Sequence, residues 1–219
     1  MLVETRPMNY IRAVKGLVSI LRDPNDTAQI FEITRALQAT QSFQQMLTSV
    51  RATEAGERLM ADRYLGPQVD VDALLALPEG SLGHAYARFL RDQGLDAVFY
   101  PQLDVTDEMT WLAMRLPQTH DIWHVITGFG TTPTEELGLQ AFMLAQLRSP
   151  LAAALIGALL LKSVLRPLDE AWTLEEAMDR VTTGWRLGRA AGPLIAQRWE
   201  LGWDRPVADW RRELGVAEA

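Results

Sequence analysis

The chain has 219 residues, 48% of them hydrophobic and 22% charged, with a formal net charge of −7 and no cysteine. That length suits one domain, expected over 1–219, able to bury a core without staples, and the composition is globular rather than disordered. Disulfides and thiolate metal sites are excluded, and the acidic balance argues against nucleic acid, whose phosphates need a basic face.

Residues 8–22 read as a helix. Tyr10, Val14, Leu17 and Leu21 form an apolar stripe, and Arg12, Lys15, Ser19 and Arg22 form a basic face. Such a helix is either an ordinary surface helix or one lying on an anionic membrane. The stretch Met1 to Arg22 lacks the apolar core and cleavage site of a secretory signal, and it is not an acid-poor transit peptide. Asp23-Pro24-Asn25-Asp26 is a turn, followed by helices over 27–39, from Ser42 to about Val50, and from about 53 to 62. Gly66-Pro67 breaks the chain, and one or two helical turns follow from Val71 to Leu77.

Pro78 to Gly83 is a loop entering a helix over His84 to Asp92, closed by Gly94. Residues 95–105 read as a loop rather than a strand because of Pro101. Thr106 caps a helix reaching about Leu116, where Pro117 stops or kinks it, and a further helix runs to about Ile126. Thr132 and Glu135 form a capping box, with Pro133 at the first position of the next helix. The apolar run Leu151 to Leu161 is 11 residues long, against about 20 for a membrane span. The helix that contains it, 151–165, is apolar nearly all round, which suits a central helix or the wall of a lipid tunnel. Helices are expected from Thr173 to about Ala190, after Gly192-Pro193 to Leu201, and from Asp204 to about Leu214. No useful strand alternation or internal repeat is present, so the fold class is an all-α, single-domain, multi-helix bundle.

Candidate chemistry lies in one stretch. His120 and His124 are four apart on one helical face, and Asp121 can reach the same side. After the Gly128–Pro133 turn, Glu136 opens the next helix and is free to turn back while Glu135 caps. Two imidazoles and two carboxylates supply four ligands of total charge minus two. That set suits zinc first, then iron, cobalt or manganese, and argues against calcium. A hydrogen-bonded cluster without metal is the structural alternative.

At His120-Asp121-x-x-His124-x11-Glu136 the chain resembles the Coq4-like ubiquinone (coenzyme Q) biosynthesis family. Gly80-Ser81-Leu82-Gly83, Tyr86 to Leu90, the acidic stretch Asp104 to Glu108 and the Gly128–Pro133 turn match that family as well. The resemblance implies an all-α, often homodimeric protein, peripheral on the membrane where quinone is made, working with other quinone-biosynthesis proteins. It implies prenyl lipid in an apolar tunnel and a metal on His120, Asp121, His124 and Glu136. The implied activity is oxidative decarboxylation of a prenylated 4-hydroxybenzoate-type precursor, with the same four residues catalytic. A non-catalytic lipid-binding scaffold is the alternative. Two departures from the pattern are His84, where arginine is common, and Pro117 in a usually continuous helix. A metal phosphohydrolase of the HD type would instead use His84, His120-Asp121 and Asp169 or Asp179, leaving His124 and Glu136 without purpose. The expected location is a bacterial cytoplasm, on the inner face of the cell membrane.

Overall fold

The computed structural model describes residues 40–98, 100, 102–165 and 173–216; the helices expected over 8–22 and 27–39, and Asp169, lie outside them. The described residues hold nine α-helices: α1 (Gln41–Arg51), α2 (Glu54–Ala61), α3 (Val71–Leu75), α4 (Leu82–Gln93), α5 (Glu108–Thr127), α6 (Pro133–Leu147), α7 (Pro150–Leu165), α8 (Leu174–Ala190) and α9 (Val207–Leu214). No strand occurs among them, only an isolated bridge between Ser81 and Pro206. The all-α class therefore holds. None of these helices is long and apolar enough to cross a membrane.

The backbone falls into two compact units. One comprises residues up to Ser49 with Thr132–Arg189, and the other Val50–Thr131 with Ala190–Ala219. In the first, α6 starts at an N-cap made by Thr132, whose hydroxyl accepts from the Glu135 N–H. The Glu135 carboxylate pairs with Arg180 at 2.7 Å. Arg148, in the left-handed region at φ 54°, ends α6, and Ser149 then accepts from the Ala152 N–H to start α7. Leu137, Ala141, Ile156 and Ala177 form the core where α6, α7 and α8 meet.

Gly184 and Gly188, one turn apart, let α8 press on the α6 backbone. A Cβ at Gly184 would sit 1.9 Å from the Gly138 carbonyl oxygen, and one at Gly188 would sit 2.6 Å from that of Phe142. Because the obstacle is main chain, Gly184→Ala forces the helices apart. The expected cost is about 1–3 kcal/mol, read from denaturant midpoints. An unchanged midpoint would show that the pair relaxes freely.

In the second unit, α5 is one continuous helix through Pro117. The expected break does not occur. The proline forfeits one helical hydrogen bond, but the helix is buried along most of its length, so tertiary packing outweighs the local cost. The N-cap is Asp107 rather than Thr106. Its carboxylate accepts from the Thr110 N–H at 2.8 Å, and that bond holds its pKa below the usual carboxylate value. Residues 95–98, 100 and 102–106 form a loop, as Pro101 suggests. The helix expected between Gly192-Pro193 and Leu201 is instead two 3₁₀ turns, Leu194–Ala196 and Trp199–Leu201. Pro193 and Gly202 bracket segments too short to run as α-helix, and the turns instead bury Leu194, Ile195 and Trp199.

Candidate metal centre

The site grows from the last two turns of α5. The fixed end of that helix is Arg115, fully buried among apolar neighbours. Its guanidinium makes a two-pronged pair with Glu200, at 2.5 Å to Oε1 and 3.2 Å to Oε2. It also donates to the Leu65 carbonyl at 3.2 Å and the Gln197 carbonyl at 2.6 Å. A charge that deep is tolerable only with such partners. They join α5 to segments far away in sequence and set its rotation.

From that anchor the helix brings His120 and His124 together, their rings edge to face with centroids 4.9 Å apart. His124 is buried, stacks on Phe89 at 5.2 Å, and donates Nδ1–H to the Phe129 carbonyl at 3.0 Å. A carbonyl only accepts, so the bond fixes the tautomer and leaves Nε2 as the lone-pair nitrogen. On His120, Nδ1 lies 3.1 Å from Asp121 Oδ1. Its Nε2 is thereby released in the same way.

His120 and His124 on α5, and Glu136 on α6 in the other unit, are the described residues that could hold a metal ion. Three of the four expected ligands are in that group. Asp121 is not in the group, because its carboxylate turns to His120 Nδ1, the place of an outer partner that orients a ligand. The donor chemistry fits a divalent cation: two imidazole nitrogens presented by the tautomers that ligation needs, plus one anionic oxygen. Around Asp121 the environment is buried and polar. Burial, then the negative charge of Asp121, push the Tyr86 hydroxyl well above the usual phenol range, with Tyr100 and Glu200 adding to it. Tyr86 is therefore a neutral O–H group at physiological pH.

His84 does not join the cluster. Its Nδ1 lies 3.1 Å from the carbonyls of both Leu75 and Leu77, on the wall of an open cavity of about 470 Å³ that Phe89 and Val125 also line. Asp179 is exposed on α8.

A family model described as the coenzyme Q (ubiquinone) biosynthesis protein Coq4 matches residues 5–219. The chain belongs to the Coq4 family. The mitochondrial ubiquinone biosynthesis protein COQ4 of Coprinopsis cinerea is 31% identical to it over 173 residues, covering 75% of this chain. The same-named protein of Mycosarcoma maydis is 28% identical over 205 residues, covering 80% of this chain. The chain spans about 56% of the length of each of these relatives. A crystal structure of a candidate ubiquinone biosynthesis protein from Nostoc punctiforme matches with a TM-score of 0.83 and 34% identity, over 96% of this chain and 97% of that one.

In this Coq4 chain, sequence reasoning reached the histidines and Glu136 but missed what holds them. Phe129 acts through its carbonyl, which no side-chain pattern announces. Arg115 did leave a signal, as a lone charge inside the apolar part of α5. Its partner Glu200 stands 85 residues away, beyond the reach of any local pattern.

Proposed function

We propose that this chain performs a metal-dependent step of ubiquinone biosynthesis. The step is an oxidative decarboxylation that replaces the ring carboxylate of a prenylated 4-hydroxybenzoate-type precursor with a hydroxyl. The observation that carries the reading is the pairing of His120 with His124, both Nδ1 atoms already engaged, with Glu136 a third candidate ligand. A bound divalent cation supplies Lewis acidity toward the ring carboxylate and phenolate, and a redox-active one also supplies electrons to dioxygen. Two histidines with one glutamate occur in catalytic zinc sites, and two histidines with one carboxylate occur in non-haem iron oxygenases. Iron therefore stands beside zinc here, because replacing carboxylate by hydroxyl is an oxidation.

The chain's own groups do the rest. Phe129 and Asp121 hold the imidazoles in register. Burial of His124 keeps water from competing for its ring. Tyr86 stays protonated beside the Asp121 charge. For the prenyl tail, α7 offers Ala153, Gly157, Leu161 and Val164 on one exposed, uncharged face. Each CH₂ it removes from water contributes about 0.8 kcal/mol. Leu161 and Val164 are 53% and 58% exposed, the kind of patch that meets lipid or protein. The reading puts the chain, as a homodimer with other quinone-biosynthesis proteins, on the inner face of a cell membrane.

The same apolar face favours a second reading, a lipid-binding scaffold without chemistry. Elemental analysis of purified protein, with mass spectrometry of co-extracted lipid, tests the first. One metal per chain with a prenylated phenol is expected. Lipid without metal, even after anaerobic reloading with Fe²⁺ or Zn²⁺, would leave only the scaffold.

A further inference from the structure

His124 lies in the last turn of α5, where a helix normally frays because its final carbonyls have no intrahelical partner. Here three of the last four carbonyls have identified partners. The His124 carbonyl accepts from the Gly128 N–H at 2.9 Å, with Gly128 in the left-handed region at φ 85°. The Trp123 carbonyl accepts the Thr127 hydroxyl at 2.7 Å. The carbonyls of Val125 and Ile126 are taken by a residue from the far end of the chain. Arg211 on α9 donates Nη2–H to Val125 at 3.0 Å and Nε–H to Ile126 at 2.9 Å.

We infer that Arg211 is a positioning residue for the metal centre, a fork that locks the last turn of α5 so that the nitrogen of His124 is aimed before any cation arrives. The inference rests on the metal reading above. Its logic is geometric. Val125 and Ile126 directly follow His124, and Phe129, whose carbonyl holds His124 Nδ1, lies three residues beyond the gripped pair. Loosening that pair loosens both the backbone that carries the ligand and the carbonyl that orients its ring. A guanidinium also places positive charge at the negative end of a 20-residue helix. Two donors at fixed spacing suit arginine and not lysine.

The segment that carries the fork is itself tied down. Leu82 N–H donates to the Arg205 carbonyl and Gly83 N–H to that of Trp203, both at 2.8 Å. Val207 N–H reaches the Gly80 carbonyl at 2.9 Å, and Gly192 N–H the Leu214 carbonyl at 2.7 Å. Trp210 is buried against Trp199, with ring centroids 4.8 Å apart. Arg211 therefore acts from a rigid base.

The test uses the full-length apoprotein, titrated with Co²⁺ and followed by visible absorption, well below the melting temperature of each variant. Amide exchange over residues 125–130 is measured alongside. Arg211→Ala should bind Co²⁺ about tenfold or more weakly, the range expected for loss of an outer-shell support. It should also exchange the Gly128–Gly130 amides faster. Arg211→Lys, which keeps the charge but not the fork, should fall in between, and it carries the test if the alanine variant does not fold. A lower melting temperature with Co²⁺ affinity within twofold of wild type would make Arg211 merely structural and overturn the inference. No Co²⁺ uptake by the wild type would instead overturn the metal reading, and the inference with it.

Discussion

On the proposed decarboxylase reading, Glu136→Gln and His120→Gln should each give a folded, lipid-retaining protein that no longer forms decarboxylated product. Both changes keep the side chain's bulk and hydrogen-bonding capacity while removing the anionic oxygen or the ligating nitrogen of a candidate ligand. Metal affinity should fall by more than the roughly 10–100-fold that outer-shell changes cost. Product formation should fall at least as far. Both side chains are partly exposed, so neither variant opens a core cavity, unlike His124→Ala, which would strip Phe89 of its stacked partner. The measurement is product by mass spectrometry in a strain lacking its own copy of the protein, with melting temperature and bound lipid as controls. Wild-type product from both variants would remove the catalytic reading and leave the scaffold.

The largest stability effect is expected at Arg115. Arg115→Met leaves Glu200 as an uncompensated charge, 2% exposed, and strands the Leu65 and Gln197 carbonyls. Breaking one side of a buried pair costs about 3–5 kcal/mol. In a chain of this size that lowers the melting temperature by about 10 °C. The double change Arg115→Met with Glu200→Leu should recover much of the loss, since the pair's attraction is largely offset by its desolvation. If the double variant is no more stable than the single one, the other bonds of Arg115 matter more than the ion pair.

Helical periodicity, cap residues and the Gly-Pro turns placed almost every described helix to within a few residues, because those signals act over one or two turns. The failures share one cause. Pro117 reads locally as a break, yet burial of α5 overrides it. Residues 192–201 carry an apolar content that suits a helix. The first 3₁₀ turn packs on α2 and α5, far earlier in the chain, and Trp199 lies against Trp210. At the site, His120, His124 and Glu136 were legible because spacing on a helix is a local fact. Spacing gives Asp121 reach to the same side, and the structure adds that its carboxylate lies 3.1 Å from His120 Nδ1. Arg211 and Glu200 were invisible, since both act from the opposite end of the sequence.

The unit that carries the histidines is discontinuous, built from Val50–Thr131 and from residues after Ala190, with α6, α7 and α8 synthesised in between. Its anchor for α5, Glu200, and the fork on Arg211 are therefore translated last. A nascent chain with Thr131 already outside the ribosome lacks both partners for tens of further residues, so Arg115 and the last turn of α5 wait without them. At about 5–20 residues per second that wait lasts several seconds, long enough to make this segment a client for chaperones.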